Sequence, residues 1–200
     1  MILSPRISVT RQGRNMDGID GTLANGVLRH PDVESIASTF PGKIDQVGII
    51  VSDLEAALEK YNTIWPMGRW KVYTYGPETV PALTYRGEPG MFIERIALTD
   101  SSPQVELIEP VRGPSIFHEW MKAHGVGIHH VAMVVDSLAA SAKSMEAAGL
   151  DVIQSGVGYG LDGDGGFAFF DTEAILGITL ELVEKPLRRM EPEYVFPSAQ

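Results

Sequence analysis

Four polar residues of this 200-residue chain stand in otherwise apolar, strand-like stretches. They are Gln46 in Gln46-Val47-Gly48-Ile49-Ile50-Val51, Glu106 in Val105-Glu106-Leu107-Ile108, His130 in His130-Val131-Ala132-Met133-Val134-Val135, and Glu181 in Leu180-Glu181-Leu182-Val183. Such groups are costly to bury unless they are paired or bind a metal. Taken singly, a strand histidine is more often a core residue and a strand glutamate an edge charge; the spacing reverses this. Gln46 and His130 lie 84 positions apart in two copies of one pattern: polar, Val, small, three apolars, a Ser/Asp pair, Leu. Glu106 and Glu181 lie 75 apart in a second echo. Each pair therefore occupies one place in a duplicated module. Two similar halves packed about a pseudo-twofold axis bring all four together. A Gln oxygen, an imidazole nitrogen and two carboxylates form a mixed N/O set that neutralises a divalent ion and leaves about two octahedral positions for water or substrate. By strand alternation, His129 points to the opposite face and reads as structural.

The elements that must position these residues follow from local pattern. Residues 43–51 read as a buried strand, and Ser52 or Asp53 caps a helix whose apolar face is Leu54, Ala57, Leu58 and Tyr61, ended by Trp65-Pro66. Residues 69–75 alternate as a strand, 76–90 form a Pro-rich excursion, and 91–98 with 104–109 form an antiparallel pair. A connector helix spans 116–123. The second copy then gives a strand over 128–135, a helix over 138–148, and strands over 151–155, 166–170 and 177–183. The Gly/Asp stretch 156–165 reads as a flexible turn, because no helix follows it as in a phosphate loop. Each module is β-α-β-β-β. The expected divisions are an N-terminal arm (1–42, with a short helix over 30–37), a first module (43–112), a connector (113–126), a second module (127–186) and a C-terminal tail (187–200).

Composition narrows the function classes. The formal charge of −10 argues against nucleic acid or an anionic membrane surface as a partner. No apolar run approaches the roughly 20 residues of a membrane helix. The absence of cysteine excludes disulfides, thiolate metal sites and a Cys nucleophile, and fits a cytoplasmic setting. Basic residues do cluster in the middle third, where Arg69 or Arg95 could grip a substrate carboxylate. Tyr73, Tyr75, Met91, Phe169 and Trp120 are candidate pocket walls.

The duplication and its strand signatures resemble the vicinal oxygen chelate superfamily, which includes glyoxalase I, methylmalonyl-CoA epimerase, extradiol dioxygenases and bleomycin-resistance proteins. The resemblance covers roughly residues 43–185. Gly127-Ile128-His129-His130-Val131-Ala132, Val105-Glu106-Leu107-Ile108-Glu109-Pro110 and Gly177-Ile178-Thr179-Leu180-Glu181-Leu182 are most similar to the epimerase branch. It implies an α+β fold of two tandem βαβββ modules forming a curved mixed sheet around a shared metal cleft. The family's ligand positions fall on Gln46, Glu106, His130 and Glu181, with Zn, Ni, Co, Mn or Mg as the ion. The implied activity is that of an isomerase, epimerase or lyase that removes the α-proton of a small carbonyl substrate while the metal stabilises the enolate. Glu88, in Glu88-Pro89-Gly90, resembles the Glu-x-Gly that carries a catalytic glutamate in the epimerase branch. Glu181 would serve opposite it, and Glu94 is the reserve candidate. A homodimer is also implied.

One departure bears on the substrate. Epimerases of that branch have His where this chain has Gln46, and the set Gln, Glu, His, Glu resembles some glyoxalase I enzymes. A glyoxalase I-type lactoylglutathione lyase is therefore the alternative activity, and a metal-free small-molecule binding or resistance protein is the alternative from another class. An extradiol dioxygenase is disfavoured, because its iron site needs two histidines and one carboxylate.

Overall fold

The computed structural model describes residues 42–198. The expected arm and its helix over 30–37 lie outside the described residues. The chain runs β1 (Gln46–Ile50), α1 (Leu54–Ile64), β2 (Trp70–Tyr75), β3 (Ala82–Tyr85), β4 (Glu88–Pro89), β5 (Ile93–Thr99) and β6 (Gln104–Arg112). It continues as α2 (Ile116–His124), β7 (Gly127–Val134), α3 (Leu138–Ala147), β8 (Val152–Val157), β9 (Gly166–Phe170), α4 (Glu173–Leu176), β10 (Thr179–Glu184) and β11 (Tyr194–Phe196). Equivalent caps start the two module helices. Asp53 accepts from the Ala56 N–H at 2.8 Å, and Ser137 accepts from the Ala140 N–H at 3.3 Å.

All strands join one sheet in the order β11-β2-β5-β6-β1-β7-β10-β9-β8-β3-β4. Its centre is symmetric. β1 and β7 pair antiparallel at the seam, and each pairs in parallel with the last strand of its own module, β6 or β10. This α+β architecture is the expected one.

Alternation along the strands separates three cores. On one face, Trp70, Val72, Ala97 and Leu107 pack against Leu54 and Leu58 of α1. On the same face of the second module, Ala168, Phe170 and Leu182 pack against Leu138 and Met145 of α3. The opposite face carries Tyr73, Tyr75, Ile96, Ile108, Phe167 and Phe169, with Phe117 of α2.

Two segments depart from the sequence reading. The Pro-rich excursion forms the β3–β4 hairpin and crosses to the other module, where Ala82 to Tyr85 pair with β8. Its two-residue turn is Arg86-Gly87, both with positive φ (49° and 81°), the conformation that hairpin twist favours. The tail adds β11 to the free edge of β2. Each module's outer edge is thus covered by a segment from outside its own repeat, which removes the unpaired ladder groups that invite aggregation. Among the described residues, no helix is long and apolar enough to cross a membrane.

Leu107 and Leu182 are both fully buried, in different cores. Leu107→Ala and Leu182→Ala should each cost about 2–5 kcal/mol in urea unfolding. The double variant should match the sum to within about 0.5 kcal/mol in one cooperative transition. Two separate transitions would show that the halves unfold independently.

Candidate metal centre

The seam places the repeat-related residues on one face. Glu106 of β6 stands beside Gly48 of β1, Gly48 stands across from His130 of β7, and Ala132 stands beside Glu181 of β10. His130 is fully buried, with Glu106 and Glu181 buried around it. Its Nε2 lies 3.1 Å from Glu181 Oε2 and 3.4 Å from Glu106 Oε2. Despite these distances, His130 Nε2 and Glu181 Oε2 have no hydrogen-bond partner, so the contacts lack hydrogen-bond direction. Lone pairs aimed at a common point rather than at each other produce such geometry. One donor atom from each of the three residues falls within 4.8 Å of the other two, a spacing that metal–ligand bonds of about 2.0–2.2 Å can span. These residues fit a divalent ion.

Three further contacts shape the site. A Cβ on Gly48 would lie inside the His130 imidazole, so only glycine lets the ring rest on the seam. Gln46 Nε2 donates to Gln104 Oε1 at 3.1 Å, and Gln104 Nε2 donates to the Thr99 carbonyl at 2.8 Å. This relay orients the Gln46 amide and leaves its carbonyl oxygen free of that pairing. His129 is the third. The strand register slips between Gly48 and Ile49, leaving His129 as an extra residue of β7 without a partner on β1. The bulge overrides alternation, and instead of turning away His129 is buried with its Nδ1 3.1 Å from His130 Nδ1. One of the two nitrogens must donate. With Nε2 kept bare for an ion, His130 would donate its Nδ1–H and His129 would accept.

Electrostatics follow from burial. Desolvation opposes charge on His130, but Glu181 and Glu106 outweigh it and push its pKa up to about 9. Burial, reinforced by the neighbouring His130, drives His129 down to about 2. Burial also raises Glu181, against the pull of His130.

Glu94 completes the group. It is 4% exposed on β5, its Oε2 has no hydrogen-bond partner, and burial holds its pKa well above the ordinary range, with Glu106 and Glu181 adding to the rise. A cleft of about 60 Å³ is lined by Gln46, Glu106, Glu181, Tyr75, Tyr159 and Arg189 among others. Glu106, Glu181 and Tyr75 also line an inner chamber of about 30 Å³, together with Glu94, Phe117, Phe167 and Phe169.

Of the residues expected from sequence, Gln46, Glu106, His130, Glu181, Glu94, Tyr75 and Phe169 come together here. Tyr73 is buried in the adjoining aromatic core. The others stand elsewhere. Glu88 is exposed on the β3–β4 hairpin opposite Tyr85, and Met91 is 61% exposed. Arg69 is exposed just before β2. Arg95 points to the helix side, where it pairs with Glu55 and Glu109. Trp120 packs against His129 and His124 outside the cleft. Sequence reasoning missed Gln104, His129 and Arg189. Gln104 shares the strand face of Glu106 two residues on, a signal that period-two counting could have used.

The fold and this cluster define a duplicated-sheet protein built around a buried cleft whose N and O donors fit a divalent ion. The profile of the Glyoxalase/Bleomycin resistance protein/Dioxygenase superfamily matches residues 45–169, and the chain belongs to that superfamily. Among solved structures, methylmalonyl-CoA epimerase from Mycobacterium tuberculosis is similar at 23% identity, over 72% of this chain and 87% of that one, with a TM-score of 0.51. A Streptomyces coelicolor methylmalonyl-CoA epimerase variant in complex with 2-nitronate-propionyl-CoA is similar at 22% identity, over 72% and 96%, with a TM-score of 0.53. A methylmalonyl-CoA epimerase in complex with methylmalonyl-CoA and ammonium gives 20%, 74%, 96% and 0.53. At these identities the likeness shows the fold. Comparison with curated proteins finds no match.

A divalent ion must displace the proton that His130 holds up to about pH 9. Mn²⁺ affinity should therefore rise about tenfold per pH unit from about pH 6 to about pH 8, with about one proton released per ion by calorimetry in two buffers. Gly48→Ala should weaken Mn²⁺ at least about tenfold by tilting the imidazole. Affinity independent of pH would exclude His130 as a ligand.

Proposed function

We propose that this protein is a divalent-metal-dependent epimerase or isomerase that moves the proton on a carbon next to a carbonyl. The observation that carries the reading is Glu94: a buried carboxyl without a partner, walled by Phe117 and Phe169 in the chamber that Glu106 and Glu181 also line. A structural carboxylate would be paired, whereas a general base needs a free oxygen and a pKa raised toward working pH.

The ligands are Gln46, Glu106, His130 and Glu181, with His129 and Gln104 orienting two of them. Bound there, the ion supplies Lewis-acid stabilisation of the negative charge that develops on a carbonyl oxygen. The side chains do the rest. Glu94 takes the α-proton, and Phe117, Phe167 and Phe169 keep water from it. Glu94 on β5 and Glu181 on β10 reach the chamber from opposite halves of the sheet. Transfer of that proton from Glu94 to a neighbouring atom of the substrate gives isomerisation. Epimerisation needs a second proton, delivered to the opposite face by a Glu181 carboxyl protonated beforehand and released from its ligand role, leaving Glu94 protonated. The methylmalonyl-CoA epimerases among the structural neighbours support this choice of reaction at the level of fold.

A second reading has its own support. The Gln104 relay presents the Gln46 carbonyl where epimerases of the resembling branch have His, and this donor set favours a glyoxalase I-type lyase. The chemistry at Glu94 is the same in both.

Mn²⁺-loaded protein in D₂O should exchange the α-proton of methylmalonyl-CoA. Glu94→Gln should retain the metal and lose about 10²–10⁴-fold in exchange rate, and Glu88→Gln should change nothing. Exchange that survives Glu94→Gln would remove Glu94 from the chemistry. Turnover of the hemithioacetal of methylglyoxal and glutathione, without exchange of the thioester, would favour the lyase.

A further inference from the structure

The C-terminal tail does more than cover an edge. After β10 it crosses the Gly/Asp segment 158–165, and that segment is built to hold it. The Leu187 N–H donates to Asp164 Oδ2 at 2.7 Å, the Leu161 N–H donates to the Arg188 carbonyl at 2.9 Å, and Arg188 pairs with Asp162. Gly160 forms a bridge with Arg189, and a Cβ on Gly160 would collide with Asp164 and Pro186. The chain then continues to β11 on the far module. This strap, anchored at both ends, delivers Arg189 to the wall of the cleft shared by Glu106 and Glu181.

Arg189 is held there without a carboxylate. Arg86, Arg95 and Arg188 each form a salt bridge, whereas none involves Arg189 among the described residues. Its guanidinium instead lies 5.5 Å from the Tyr73 ring centre and 5.3 Å from that of Tyr159, and it donates to Tyr75 Oη at 3.2 Å. Aromatic faces fix a guanidinium by cation–π attraction while leaving donors of its fork open.

We propose that Arg189 is the specificity-determining residue of this site: it grips a carboxylate on the substrate, so the enzyme takes an anionic carbonyl compound and discriminates against its neutral amide counterpart. The assignment rests on the metal-centred reading above. Arg189 sets which molecule is held and takes no part in moving the proton.

The test uses full-length protein loaded with Mn²⁺ and compares malonate, malonamate and malonamide as calorimetric probes of wild type, Arg189→Met and Arg189→Lys. Arg189→Met should weaken the two carboxylate probes about tenfold to about hundredfold. Arg189→Lys should recover part of that loss, and malonamide affinity and Mn²⁺ affinity should stay the same in all three. Asp164→Ala, which loosens the strap but keeps the guanidinium, should give a smaller loss confined to the carboxylate probes. Equal weakening of malonamide, or a parallel loss of Mn²⁺, would make Arg189 a structural anchor and overturn the proposal. So would carboxylate affinities untouched by Arg189→Met. If wild type binds no Mn²⁺, the metal-centred reading fails by itself, and the malonamate-to-malonamide ratio with and without Arg189 still scores this one.

Discussion

Two carboxylates and an imidazole are buried against one another at the seam between the halves, and the rest of the structure depends on how that charge is accommodated. Removing each ion from water costs on the order of several kcal/mol even after relaxation. His130, pushed up to about 9, offsets only part of it, because one positive charge faces two carboxylates whose oxygens it does not meet in hydrogen-bond geometry. A dication among these atoms turns the cost into a binding energy. The fold is arranged around that point. β1 and β7 meet back to back, Gly48 clears the space for the ring, and the parallel neighbours β6 and β10 bring one glutamate from each side.

The pseudo-twofold symmetry builds the centre and is broken wherever specificity enters. His130 carries a bulge partner, His129, while its counterpart Gln46 is oriented by Gln104 through an amide relay. Glu94 belongs to the first module alone. In the second, the aromatic ring of Phe169 stands on the strand opposite Glu181. The excursion and the tail exchange sides, with β3 closing the edge of β8 and β11 closing the edge of β2. Duplicated parts thus supply the clustered Gln46, Glu106, His130 and Glu181, and unduplicated ones supply Glu94 and the charged wall of the cleft.

The same division decides what could be read from the chain. The repeat and the two-residue period placed Gln46, Glu106, His130 and Glu181 on one face, because regular strands keep alternation and equivalent strands keep register. Counting failed where the ladder is irregular. The bulge at His129 buries that residue against the His130 ring, whereas Glu94, named from sequence, enters the chamber beside the register slip between Ile93 and Glu94. Glu88 drew attention through a local Glu-x-Gly pattern, yet hairpin pairing sends it to solvent. Arg189 had no such signal. Only tertiary contacts, the Gly160 bridge and the Asp164 and Asp162 pairings among them, hold a tail arginine at the cleft.

The aromatic lining joins the separate features into one device. Phe117 packs edge-on to Phe169 at 5.3 Å, Phe169 lies 5.0 Å from the His130 ring, and Phe167 stacks on Tyr75 at 6.3 Å. This wall withholds solvent from Glu94, which is why its carboxyl favours the proton, and it strengthens each charge interaction inside the chamber by lowering the local dielectric. Tyr75 extends the same lining outward to Arg189 through its hydroxyl. The apolar lining thus joins the chamber of Glu94 to the cleft of Arg189, and Glu106 and Glu181 line both. On the proposed reading, a carboxylate would satisfy the Arg189 guanidinium, whereas a neutral molecule would leave it without an anion.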